Sequence, residues 1–338
     1  MSEVTPEVAE TNGSGDGAKA APAKVARKTR AKAKPVPPAY FAGSVPGRDD
    51  PLDHAFGEIC ARIEVASGMP VWLLVHNTYD NEPLSQLSPE VRDHFFRARR
   101  QLADCDKALL IVDSPGGFAR CAYEIASLFQ RHCGGFTSAV PRYAKSAGTL
   151  LILGSEIIMS DDAEIGPLDA QIWDFEREEQ SSALNEVQAL ERLHAQAVTE
   201  VDEMVPLLVG RTNKKIETIT PMVLDFVAKM KRPLLEKIDT VHYTQQSRTL
   251  KEAEDYAIRL LRRSGLYEGQ NQVRNAASRL VNRYSDHGFV IDKEEASEFL
   301  RVVEPQSGEV TDALSELADY LTDNTVLAIG RLHVQTTP

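Results

Sequence analysis

The segment that most restricts the fold spans residues 108–117, Ala-Leu-Leu-Ile-Val-Asp-Ser-Pro-Gly-Gly. Leu109, Leu110, Ile111 and Val112 are apolar without alternation, the pattern of a strand covered on both faces. Pro115, Gly116 and Gly117 end that strand abruptly. Ala122, Ile125, Ala126 and Phe129 then recur at helical spacing, and Gly134 and Gly135 stop the helix. Residues 136–140 read as a second short strand, after which Ser146, Ala147 and Gly148 open a very apolar helix. Upstream, residues 53–65 read as a helix, 70–75 as a buried strand and 91–102 as an amphipathic crossover helix. Strands alternating with helices predict an α/β fold with a mainly parallel sheet and right-handed crossovers.

This order of elements has chemical consequences. A glycine pair after a strand allows backbone N–H groups to face a cleft, because glycine reaches dihedral angles that other residues avoid. A serine at a strand-to-helix junction sits where helix N–H groups favour negative charge. Side by side, the two make a nucleophile, Ser146, facing an oxyanion hole formed by the N–H groups of Gly117 and Ala147. Each donor of such a hole contributes about 3–4 kcal/mol. Asp113 and Ser114 read as turn-formers, and Ser146 is also a favoured helix N-cap type. His76 follows the buried strand at its C-terminal end, where α/β sheets gather ligands or where a histidine caps a turn.

Three motifs together resemble the Clp-protease/crotonase fold: Asp113-Ser-Pro-Gly-Gly, Lys145-Ser-Ala-Gly-Thr and Ile165-Gly-Pro-Leu-Asp-Ala-Gln. Within that fold the chain resembles the signal-peptide-peptidase-A-like proteins of the serine dehydrogenase proteinase family, over roughly residues 73–303. The resemblance implies a serine peptidase in which Ser146 forms an acyl-enzyme with a peptide or protein substrate, without metal or other cofactor. It also implies a homo-oligomer held by a helical arm, here about residues 176–240. The motif Asp286-His-Gly-Phe before a short helix resembles the family's C-terminal motif. Against the Clp pattern, Asp169 falls where the family has its histidine, and His287 where it has its aspartate. A Ser146–His287–Asp169 triad with exchanged positions is the resulting expectation, since triads are defined by geometry rather than chain order.

A lysine is the competing base, as in signal peptide peptidase A. Residues 173–213 contain no lysine, so Lys145, Lys214 and Lys215 are the candidates. A lysine base needs burial to lower its pKa. Two other readings remain open: an inactive scaffold of the same fold, and a crotonase-type acyl-coenzyme-A enzyme. The latter uses the same paired N–H groups for an enolate but does not require a serine after the second strand.

Residues 1–47 read as a disordered Ala/Lys/Pro-rich tail, acidic first and basic later, and residues 48–338 as the folded domain. The basic half of the tail is a candidate tether for nucleic acid or another acidic partner. The net charge of −12 argues against nucleic acid as the main partner of the folded part. No apolar run approaches ~18 residues and residues 1–7 lack a signal pattern, so no membrane contact and a cytoplasmic location are expected. Cys60, Cys105, Cys121 and Cys133 show no metal-binding or redox spacing and read as reduced core residues. Helices are further expected at about 220–231, 249–261, 271–284 and 311–321, with a break at 210–213 and an irregular stretch from 322 to 338.

Overall fold

The computed structural model describes residues 38–43, 50–77, 83–103, 105–168, 171–174, 179–284 and 286–335. The elements, in chain order, begin with β1 (Ala39–Gly43), β2 (Asp50–Pro51), α1 (His54–Ser67) and β3 (Val71–Asn77). They continue with α2 (Pro89–Leu102), β4 (Ala108–Asp113), α3 (Ala119–His132), β5 (Phe136–Val140), β6 (Tyr143–Ala144), α4 (Ala147–Ile152), β7 (Glu156–Met159) and β8 (Glu164–Ile165). Next come β9 (Gln171–Asp174), β10 (Glu179–Ser182), α5 (Ala183–Thr212), α6 (Ile216–Leu235), α7 (Thr240–Ser264) and α8 (Gln270–Ser278). A π-helical turn (Arg279–Arg283), β11 (Ile291–Asp292), α9 (Lys293–Ser297), α10 (Gly308–Asp323) and β12 (Val326–Gln335) complete the fold.

The main sheet has seven strands in the order β2-β1-β12-β3-β4-β5-β7. The successive pairs from β3 to β7 are parallel, while β12 and β1 extend the sheet antiparallel. The expected α/β class with parallel crossovers is present. Its non-alternating strands are explained by burial on both faces. Trp72, Leu74, Leu110 and Val112 pack towards α2, α3, α4 and α7. Leu73, Val75, Leu109 and Ile111 pack towards α1 and α10. A fully buried side chain of this kind contributes about 1.5–3 kcal/mol. Asp53 caps α1 by accepting from the Ala55 and Phe56 N–H groups, and Ser88 caps α2 through the Val91 N–H.

Several sequence expectations are corrected. Residues 39–43 were expected in the tail but form β1, whose Tyr40 and Ala42 turn inward, paired with the far C-terminal strand. Residues 326–335, expected to be irregular, are β12, inserted between β1 and β3. The helical arm starts at Ala183, after the β9–β10 hairpin, and α5 continues through Gly210 until Asn213 takes a positive φ of 52°. The α5–α6 pair has its own small core of Val205, Ile219, Val223 and Val227. α7 starts at Thr240, nine residues before the expected helix. Residues 1–37 lie outside the described residues. Among the described residues, no helix is long and apolar enough to cross a membrane.

Candidate active site

The site forms where β4 and β5 end on the same side of the sheet. After β4, the Ser114 N–H donates to the Tyr143 carbonyl, and the Lys145 N–H donates to the Ser114 carbonyl (3.0 and 2.9 Å). This short ladder lays the chain entering Ser146 against the chain leaving β4. A buried ion pair reinforces it: Arg142 grips both carboxylate oxygens of Asp113 at 2.9 and 2.8 Å and donates to the Leu321 carbonyl. Burial pushes the Asp113 carboxyl upward, against the downward pull of Arg142. Asp113 is therefore an ion-pair partner rather than only a turn-former.

Ser146 is held at φ 49° and ψ −117°, a conformation that non-glycine residues rarely adopt. It precedes α4 but its side chain caps nothing. Its hydroxyl has no hydrogen-bond partner among the described residues, which separates it from Asp53 and Ser88. The strained turn is buttressed by Thr149, whose buried hydroxyl lies 2.7 Å from the Ala144 carbonyl and 2.8 Å from that of Gly166, and accepts from the Gly166 N–H at 3.2 Å.

Gly116 and Gly117 have φ values of 111° and 134°. A Cβ on Gly116 would lie 2.9 Å from the Ser146 Cβ, and one on Gly117 would lie 2.5 Å from the Leu87 carbonyl oxygen. Both positions thus require glycine. The Leu87 N–H donates to Gly116 and the Leu87 carbonyl accepts from Phe118 (2.7 and 2.8 Å). In such a parallel bridge the intervening Gly117 N–H points away from Leu87. Ala147, the first residue of α4, has an N–H with no intrahelical acceptor. Gly117, Ser146 and Ala147 line one cleft of about 570 Å³. Leu150, Leu168 and Ala253 give it apolar surface.

His287 lines the same cleft. It arrives there through a second small sheet in which β11 pairs with β8 and β8 with β6, the strand just before Ser146. Its turn is secured by the Gly288 N–H donating to the Asp286 carboxylate (2.7 Å) and by Tyr284 packing on Phe289 at 4.8 Å. Tyr284 donates in turn to Glu295 (2.8 Å), which also accepts from Arg279 (2.9 Å). The His287 Nδ1 is buried without a hydrogen-bond partner among the described residues. No hydrogen bond joins it to Ser146 among them. Asp169 lies outside the described residues.

Of the alternative bases, Lys145 forms an ion pair with Glu164 at 2.6 Å, and Lys214 and Lys215 are exposed between α5 and α6, not in the cleft lining. Among the described residues no cluster of His, Cys, Asp or Glu could hold a metal ion. The four cysteines are free, and burial pushes the thiols of Cys60, Cys121 and Cys133 up.

Sequence reasoning missed Thr149, although it stands in the Ser-Ala-Gly-Thr motif. It also gave no role to Thr249 and Ala253 of α7, which line the cleft. Finally, it overlooked a buried pair beneath the glycine turn: His76 Nδ1 lies 2.9 Å from Ser114 Oγ, which accepts from the Gly116 N–H at 3.2 Å. Burial pulls the His76 imidazole down to about 3, so it is neutral at ordinary pH.

The profile of the ClpP-like SDH-type serine proteinases matches residues 87–286. Two uncharacterised proteins of Methanocaldococcus jannaschii are similar to parts of the chain. MJ1495 is 32% identical over 123 residues, covering 34% of this chain and 42% of that protein. MJ0137 is 38% identical over 88 residues, covering 25% and 30%. The chain thus spans less than half the length of these curated relatives. A mutant of the 1510-N membrane-bound stomatin-specific protease is similar in structure over 68% of this chain and 79% of its own, at 14% identity and a TM-score of 0.39.

Proposed function

The chain belongs to the family of ClpP-like SDH-type serine proteinases, and from that premise we propose that it hydrolyses peptide bonds through an acyl-enzyme on Ser146. The observation that carries this reading is the backbone of Ser146: a strained serine whose hydroxyl caps nothing, lining one cleft with Gly117 and Ala147. Backbone strain of roughly 1–3 kcal/mol persists where the surroundings enforce it, and here Thr149 and the Ser114–Lys145 ladder do so.

In the proposed reaction Ser146 Oγ attacks the substrate carbonyl carbon while its proton passes to His287. The Gly117 and Ala147 N–H groups bind the resulting oxyanion. The tetrahedral intermediate collapses as His287 returns the proton to the leaving amine, and the acyl group remains as an ester on Ser146. Water, deprotonated by His287, then attacks the ester and frees the carboxylate product and the serine. Asp169 completes the proposal by orienting His287. The Nδ1 of His287, buried without a partner among the described residues, supports this role, since an orienting carboxylate would accept its proton. Lys145 lies 2.6 Å from Glu164, an ion pair that counts against a lysine base, but its Nζ is buried and makes no hydrogen bond among the described residues, so Lys145 stays the alternative to test. The uncommitted serine also counts against the acyl-coenzyme-A reading, which gives it no task.

The test is turnover of a fluorogenic peptide library by wild type, Ser146→Ala, His287→Ala, Asp169→Ala and Lys145→Met. Turnover abolished in the first and reduced at least 100-fold in the second supports the proposal. Normal turnover in His287→Ala, with loss in Lys145→Met, replaces the histidine by the lysine. No turnover by folded wild type favours the scaffold reading, to which the absence of a Ser146–His287 hydrogen bond among the described residues already lends weight.

A further inference from the structure

His76 is buried, neutral and 38 residues from its partner in sequence, yet it sits directly under the catalytic turn. Its Nε2 has no hydrogen-bond partner among the described residues. An aliphatic residue on β3 would avoid that orphaned group, so the bond made by Nδ1 must accomplish something that packing alone does not. That bond goes to Ser114 Oγ. Ser114 Oγ accepts from the Gly116 N–H and shares a 2.9 Å hydrogen bond with His76 Nδ1, which accepts the hydroxyl hydrogen when the neutral imidazole carries its proton on Nε2. Ser114 is then fully engaged. Its side chain holds Gly116, while its backbone holds Tyr143 and Lys145 on the strand that leads into Ser146. It also touches the start of α4, since a Cβ on Gly148 would lie 3.3 Å from the Ser114 carbonyl oxygen.

Ser114 therefore joins the two halves of the proposed oxyanion hole, the glycine turn on one side and the serine turn on the other. We infer that His76 and Ser114 are positioning residues: the His76–Ser114–Gly116 relay fixes the Pro115–Gly116 peptide, and so the place of Gly116, from which the next peptide presents the Gly117 N–H relative to Ser146. This inference rests on the proposed function, in which Gly117 is an oxyanion donor. Gly117 has no side chain through which it could be held; its N–H shares a peptide plane with the Gly116 carbonyl, which accepts from the Leu87 N–H at 2.7 Å, while the preceding peptide is held by Ser114. The relay adds a second constraint to that of Leu87, one peptide earlier in the turn.

Two measurements on the full chain test it. The first is amide hydrogen exchange of peptides covering residues 114–118, by mass spectrometry, in wild type, Ser114→Ala, His76→Leu and His76→Asn. The second is the rate of inactivation by a fluorophosphonate, resolved into its limiting rate and its half-saturating concentration. Asn places an amide oxygen near the position of Nδ1 and keeps an acceptor for Ser114. Ser114→Ala and His76→Leu should exchange faster at this segment. Their limiting inactivation rate should fall about 10- to 100-fold with the half-saturating concentration unchanged, as expected of a displaced rather than deleted donor. His76→Asn should stay within about threefold of wild type, and the double variant Ser114→Ala/His76→Leu should be no slower than the slower single variant. Unchanged exchange in Ser114→Ala, or His76→Asn as slow as His76→Leu, would overturn the inference. If His76→Leu does not fold, Ser114→Ala and His76→Asn decide the matter alone. If folded wild type is not inactivated at all, the peptidase reading fails, and the exchange measurement still accepts or rejects the relay.

Discussion

The buried imidazole of His76 makes a quantitative prediction for stability against pH. Burial holds its folded-state value at about 3, against an ordinary histidine value of about 6.5 in the unfolded chain. Between these values the unfolded chain carries a proton at this position and the folded chain does not. Stability therefore rises with pH across the window and is lost as pH falls from about 6.5 towards 3, at about 1.4 kcal/mol per pH unit. From neutrality to pH 5 the loss attributable to this one residue is about 2 kcal/mol. The other seven of the eight histidines and the carboxylates also titrate, so the comparison is between wild type and His76→Asn, in which only this proton is removed. Urea unfolding at pH 7.5 and pH 5 should show wild type losing about 2 kcal/mol more than the variant, a midpoint shift of about 1 M at a slope near 2 kcal/mol per molar. Parallel losses in the two proteins would refute the argument, because they would show that His76 gains a proton in the folded state as readily as in the unfolded chain.

Three further outcomes follow from the geometry of the turn. Gly117→Ala forces a Cβ to 2.5 Å from the Leu87 carbonyl at φ 134°, and should cost about 2 kcal/mol in urea unfolding together with fluorophosphonate reactivity. Asp113→Asn removes the charge facing Arg142 in a buried pair and should cost about 3 kcal/mol in the same assay. Thr149→Val keeps the shape of the side chain but leaves Gly166 and Ala144 without its hydroxyl. It should lose about 1–3 kcal/mol and slow phosphonylation more than Thr149→Ser does.

The parts of the fold legible in the sequence are those set by local pattern. The run Leu109 to Val112, the glycine pair and Ser146 each mark their own structure, because burial on both faces and positive φ leave a signature in residue type. β12 left a weaker trace. Gly330 interrupts it, and its pairing with β1 joins residues nearly 300 positions apart, which no local pattern encodes. The β9–β10 hairpin was hidden by charged residues that read as the start of a helix. In the site, Ser146, Gly117, Ala147 and His287 line one cleft, and their proposed roles rest on residue type and motif. The roles of Ser114 and His76 were not legible. A serine after a strand and a histidine at a strand end are both common turn-formers, and only the parallel pairing of β3 with β4 brings them into hydrogen-bond range.

The proposed function stands or falls with Ser146 as an activated nucleophile. The most direct measurement is intact-mass analysis of the purified full chain after fluorophosphonate treatment, with peptide mapping of the adduct. One adduct per chain is expected, on Ser146, absent in Ser146→Ala and formed more slowly in His287→Ala. A folded chain that takes up no adduct, or one labelled equally well in Ser146→Ala, would contradict it.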